Sequence, residues 1–215
     1  PVLFNDHNGD YRGTDKKEYK NPGFQNYTIF SLWDVYRAAQ PLYTIIQPDR
    51  VPDMVQSLLA IYKQQGKLPI WPLMGSETDC MVGYPAVPVI ADAYFKGFKG
   101  IDPELAFEAM KASSMRDDYG VNHLKTRGYI PADKEKESVS KALEYALSDW
   151  AIAQLAQKLG KQSAYEYYSN RAKAYPQYFD PRTDFMRPKL DNGSFREPLD
   201  PFKSIHEWGD YTEGN

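Results

Sequence analysis

Between Val51 and Gly66 the apolar residues Val51, Val55, Leu58, Leu59 and Tyr62 fall at i, i+4, i+7, i+8 and i+11, the spacing of one helix face. Pro52 stands near the start, where its missing N–H costs little, and Gly66 stands at the stop. Helices of this kind outnumber any convincing strand. "YTIFSLWDVYRAAQPLYTIIQ" places Ile29, Trp33, Tyr36 and Gln40 on one side, and Pro41 is expected to break or end that helix. A short helix is predicted from Val87 to Lys96, closed by Gly97 and Gly100, and another follows with Asp102 as N-cap and Pro103 at its first position. Residues 119–137 read as a polar connector. The stretch from Ser138 to Gly160 carries Leu143, Ala146, Leu147, Trp150 and Ala153 on one face, and a second helix then runs to Pro176. Residues 1–27 read as irregular or short β structure and residues 180–215, with four prolines, as loop.

Two architectures accommodate antiparallel helix pairs joined by long polar loops. A repeat array is one, since Leu143 to Phe179 resembles a tetratricopeptide hairpin, but no self-similarity at a fixed period relates this pair to the helices before it. The other is an all-α toroid of the (α/α)6 kind, whose loops collect at one end. The toroid is the expected fold class, and 215 residues of which 42% are hydrophobic suffice for one sizeable core.

Composition and motifs narrow the function. A net charge of −3 gives no broad basic surface for nucleic acid or an anionic membrane. No apolar run approaches the roughly 18 residues of a membrane span. The chain opens on Pro1 without basic or apolar leader character and stops abruptly after Asn215, which reads as a segment of something longer, so the sequence itself leaves localisation open. His7, His123 and His206 are far apart, and no HExxH, CxxC, phosphate-binding Gly-rich loop or G-x-S-x-G elbow occurs. Cys80, the single cysteine, has no obvious base nearby and is expected to be a buried structural thiol. What remains is carboxylate chemistry or no chemistry.

Aromatic residues make up 14% of the chain, and three loops couple a tryptophan to acids. Trp33 precedes Asp34; Trp71 precedes Glu77 and Asp79; Trp208 precedes Asp210 and Glu213. A ring that stacks on a pyranose, beside a carboxylate that grips hydroxyls or moves a proton, is what carbohydrate chemistry requires. Core anchoring by the tryptophans and capping by the acids is the plainer alternative for any one loop.

The ordered set "YTIFSLWDVYRAAQPLYTI", "GSETDCMVGYPAVPVIADAYFKGFKGID", "DFMRP", "LDPF" and "YTEGN" resembles the glycoside hydrolases of family 92, calcium-dependent exo-α-mannosidases. The resemblance implies an (α/α)6 catalytic domain paired with an N-terminal β-sandwich. Residues 1–215 would be the N-terminal part of that catalytic domain, about the first half of the barrel, and an incomplete enzyme alone. It also implies an inverting mechanism on mannose-containing oligosaccharides or glycoprotein glycans, with bound calcium contacting the sugar's 2- and 3-hydroxyls, and a periplasmic or extracellular setting.

Carried over by position, the resemblance implies Glu213 as general acid, Asp34 beside Trp33 holding the sugar, and Glu77 with Thr78 near the same pocket; it assigns no metal ligand here. A neutral-pH proton donor needs a raised pKa, which closure by Trp208 and Tyr211 would supply. Where many relatives read "GYHA" this chain has Pro85, so any contact of that histidine is lost, and the base is expected beyond residue 215. A non-catalytic helical scaffold for a protein or peptide, and a toroidal glycosidase of other sugar specificity, are the alternatives.

Overall fold

Three helices, α4 (Ala86–Phe95), α5 (Pro103–Ser114) and α8 (Gln162–Ala172), all pack on one long helix, α7 (Ser138–Lys158), in a computed structural model that describes residues 1–202 and 209–212. Helix α3 (Val51–Gln65) packs on α4 and α5, and the short helices α1 (Leu32–Val35) and α2 (Ala39–Ile46) lead into it. The expected all-α class holds, and the strands are two-residue ribbons: β1 (Val2–Leu3) with β4 (Tyr27–Thr28), β2 (Tyr11–Arg12) with β3 (Glu18–Tyr19), and β5 (Phe179–Asp180) with β6 (Phe185–Met186), all antiparallel. Among the described residues no helix is long and apolar enough to cross a membrane.

Helix α3 follows its period: Val51, Met54, Val55, Leu58, Leu59 and Ile61 are buried, and Gly66 closes it in the left-handed conformation at φ 79°. Helix α5 starts as predicted, with the Asp102 carboxylate accepting from the backbone N–H of Glu104 (3.0 Å) and Leu105 (3.2 Å). Five expectations need correction. The break falls at residues 36–38, and Pro41 sits in the first turn of α2, where a missing N–H is tolerated. The connector contains a helix, α6 (Val121–Arg127), framed by Gly120 and Gly128, both left-handed. Helix α8 ends at Ala172, and Pro176 belongs to a separate 3-10 turn, Tyr175–Tyr178. Cys80 is exposed.

The fifth correction concerns the face of α7. Ala146 and Ala153 are buried, but Leu147 and Trp150 are 43% and 58% exposed. The buried side runs instead through Val139, Ala142, Tyr145, Asp149, Ile152 and Ala156. The predicted stripe runs over Leu147 and Trp150, whereas the buried side passes through Asp149, a charged residue that interrupts its apolar pattern. Leu147 and Trp150 line open apolar grooves on either side, one with Phe95 of α4 and one with Tyr165 of α8.

A buried ion pair joins three elements. Arg171 of α8 donates from Nε and a terminal nitrogen to the two oxygens of Asp149 on α7, each at 2.5 Å, and the Tyr84 hydroxyl ahead of α4 donates to the same carboxylate at 2.6 Å. Asp149 is fully buried and Arg171 is 5% exposed. Burial pushes the Asp149 carboxyl up, and the Arg171 bonds oppose that rise. Asp149→Ala is expected to destabilise the fold by about 3–5 kcal/mol, because it strands a guanidinium in the core, while the Asp149→Ala/Arg171→Met double variant recovers most of the loss; denaturant titration of both checks this.

Candidate active site

Three loops meet on the first turns of α7. The loop around α1 reaches it through the Tyr36 hydroxyl, which donates to Glu144 at 2.8 Å, and through Arg37, which donates to the other Glu144 oxygen at 2.5 Å. Burial and the neighbouring Glu144 carboxylate hold the Tyr36 hydroxyl well above its ordinary pKa. Segment 209–212 reaches α7 one turn earlier, where the Thr212 N–H donates to Ser140 Oγ at 2.9 Å. Ser140 and Glu144 are related by i, i+4 and lie on one side of the helix, about 6 Å apart along the axis at 1.5 Å per residue.

The third loop, residues 70–83, passes the same place at Gly83. This glycine has φ 87°, and a β-carbon on it would lie 3.1 Å from Glu144 Cβ, so both backbone and space call for glycine. Farther back, the Trp71 indole N–H donates to Ser31 Oγ at 2.9 Å, and Ser31 donates in turn to Asp34. Ser31, Trp71 and Asp34 therefore form a short relay between two of the tryptophan loops. The Asp34 carboxylate is at the exposed end of it.

Glu77 is engaged within its own loop. One oxygen accepts the backbone N–H of Trp71 (2.8 Å), Thr78 (2.9 Å) and Asp79 (2.9 Å), and the other accepts that of Ile70 (2.8 Å). Thr78 Oγ1 donates to the Trp71 carbonyl at 3.0 Å. Lys67 pairs with Asp79 at 2.5 Å, and Lys16 donates to Gly75 O and Ser76 Oγ, each at 2.6 Å, so the loop that carries Trp71 is tied down along its length. The Trp33 ring is half-buried beneath Arg37, whose guanidinium carbon lies 5.4 Å from its centroid, and its indole nitrogen has no hydrogen-bond partner among the described residues.

Of the residues expected from sequence, Trp33, Asp34, Glu77 and Thr78 are thus brought into one neighbourhood, the first pair on α1 and the second on the loop bonded to it. Glu213, Trp208 and His206 lie outside the described residues. Tyr211 is described: its hydroxyl donates to the Met186 carbonyl at 2.5 Å and so anchors segment 209–212 to β6. Sequence reasoning missed Ser31, Arg37 and Glu144. Ser31 was visible as a hydroxyl three residues ahead of Asp34; Glu144 had no local signal, since its partners are 107 and 108 residues away. Among the described residues no group of three or more His, Cys, Asp and Glu side chains could hold a metal ion.

Loops bearing acids and tryptophans on rigid helices, in a chain with the helical architecture of an α/α toroid, define a scaffold of the toroidal glycosidase class. More particularly, residues 1–215 match the model of the glycosyl hydrolase family 92 catalytic domain, and the chain belongs to that family. It superposes with a TM-score of 0.93 and 47% identity on a family GH92 α-mannosidase from Bacteroides thetaiotaomicron solved in complex with mannoimidazole, over 100% of this chain and 29% of that one. With a family GH92 inverting mannosidase of Bacteroides thetaiotaomicron VPI-5482 the TM-score is 0.88 and the identity 30%, over 97% of this chain and 29% of that one. An uncharacterised secreted glycosidase of Arthroderma benhamiae is 30% identical over 161 residues, which are 67% of this chain and 20% of the relative. The chain therefore spans less than a third of the length of each of these proteins.

The Glu77 geometry makes a specific prediction. Glu77→Ala is expected to cost about 1–3 kcal/mol, because it orphans four backbone donors, and to speed amide exchange at Ile70, Trp71, Thr78 and Asp79. Glu77→Gln should do so in part, since an amide offers one acceptor oxygen in place of two. Hydrogen exchange read by NMR or mass spectrometry checks both.

Proposed function

We propose that the complete polypeptide carrying this chain is an inverting, exo-acting α-mannosidase that removes terminal α-linked mannose from mannose-rich glycans. The observation that carries the reading is the family match along the whole chain, together with 47% identity to an α-mannosidase solved with mannoimidazole bound. The secreted glycosidase among the relatives supports a periplasmic or extracellular setting.

In this reading the chain supplies one side of a two-carboxylate reaction. The Glu213 carboxylic acid protonates the departing glycosidic oxygen, and a carboxylate outside this chain takes a proton from water as that water attacks the anomeric carbon from the opposite face. The pair stands ~6.5–9.5 Å apart to leave room for the water. Asp34 is suited to hold the sugar, because it is exposed and Ser31 occupies one of its oxygens, leaving the other to accept from a hydroxyl. Trp33 and Trp71 offer flat faces beside it, and Glu77 with Thr78 fixes the Trp71 loop. Calcium is taken as a requirement of the complete polypeptide, with ligands beyond the described residues.

Glu213→Gln in the complete polypeptide should lower turnover of α-linked mannobiose about 10²–10⁴-fold while sparing an aryl mannoside whose leaving group needs no proton; retention of wild-type turnover on mannobiose would remove Glu213 from the acid role. Dialysis against a chelator should abolish turnover and added calcium restore it. Turnover unaffected by chelation excludes the calcium requirement.

A further inference from the structure

Thr212, the residue before the proposed acid, is gripped at two of its atoms. Its N–H donates to Ser140 Oγ at 2.9 Å, and its hydroxyl donates to Glu137 Oε1 at 3.0 Å. Holding both the nitrogen and the hydroxyl of Thr212 restrains its φ and χ1, and with them the place of the carbonyl carbon from which the chain continues.

The partners are themselves held. The Glu137 N–H donates to the Gly209 carbonyl at 2.6 Å and the Val139 N–H to the Asp210 carbonyl at 3.1 Å, so segment 209–212 satisfies donors that the start of α7 would otherwise leave open. Glu137 adopts φ 55°, a left-handed conformation that strains a non-glycine residue and persists where the surroundings over-determine it. Lys141, 3% exposed, bonds Glu135 at 2.5 Å and stands 3.9 Å from the second Glu137 oxygen, which orients that carboxylate toward Thr212. Arg196 pairs with Asp210 of the same segment at 3.0 Å.

A helix cap needs the backbone contacts at Gly209 and Asp210. It does not need the Thr212 hydroxyl on a strained, lysine-oriented carboxylate. We propose that Glu137 and Ser140 are positioning residues for general-acid catalysis: they clamp Thr212 and so fix the point from which the chain continues to Glu213. The inference rests on the acid role of Glu213 and adds to it Glu137, the last residue of the run "DKEKE" that reads in the sequence as polar connector, and Ser140 in the first turn of α7.

The test compares two substrates in the complete polypeptide: α-linked mannobiose, whose departing sugar must be protonated, and 2,4-dinitrophenyl α-mannoside, whose leaving group departs without a proton. Thr212→Val, Ser140→Ala and Glu137→Gln should each lower kcat on mannobiose about 10–10²-fold with KM nearly unchanged and the dinitrophenyl glycoside nearly unaffected. Thr212→Ser, which keeps the hydroxyl, should restore mannobiose turnover. If one variant does not fold, the Thr212→Val and Thr212→Ser pair decides the matter. An equal loss on both substrates, or no loss on either, overturns the clamp. Glu213→Gln is the benchmark: if it shows no selectivity between the substrates, the acid assignment itself fails and takes the clamp with it, whereas a selective Glu213→Gln beside unselective clamp variants removes the clamp alone.

Discussion

The Asp149 carboxylate, without solvent contact and bound by both Arg171 and Tyr84, determines where α7 stands. A charge in the core is tolerated when its partner meets it with good geometry, and that requirement admits few arrangements of the elements carrying the partners. Here the partners come from α8 and from the loop entering α4, so one interaction sets three elements in register. Tyr84 also stacks on Tyr145, one turn earlier on α7, with ring centroids 4.8 Å apart. The net stability gained from such a pair is small; its effect is on specificity, because a displaced α7 would leave the charge unpaired.

Once α7 is placed, the site follows. Its first turns lie beyond this ion pair towards the N-terminus and present Glu137, Ser140 and Glu144 to three separate loops. Each loop arrives with its own internal order: Glu77 gathers four amides, Ser31 links Trp71 to Asp34, and Tyr211 ties segment 209–212 to β6. This is a rigid helix serving as the common rest for irregular segments, the arrangement that lets residues distant in sequence hold a fixed geometry.

How much of this was legible beforehand varied with the range of the interaction. Helix α3 and the Asp102 cap were readable because period and capping act within a few residues. Helix α6 escaped because seven residues bounded by glycines carry too little apolar pattern to stand out from a polar connector. The face of α7 was misjudged because Leu147 and Trp150 fall on one period with Leu143, Ala146 and Ala153, while the packed side through Val139, Tyr145 and Ile152 includes Asp149, a charged residue that interrupts the apolar pattern. In the site, Asp34, Trp33, Glu77 and Thr78 were found as motif residues, but the bonds that engage Glu77 and Thr78 with their own loop arise only when residues 70–79 fold back on themselves. Glu144 and Glu137 were invisible for a different reason, since their meaning comes from partners 75 to 108 residues away.

If Glu213 is the acid of a single-displacement reaction at mannose, as proposed, the stereochemistry of the product reports on it directly. Proton NMR of the complete polypeptide hydrolysing the methyl glycoside of α-linked mannobiose, whose departing group is methyl mannoside and not free mannose, recorded before mutarotation, should show β-mannose as the first free mannose released. First appearance of α-mannose would contradict it, as would the absence of any released mannose from an intact, calcium-supplied enzyme.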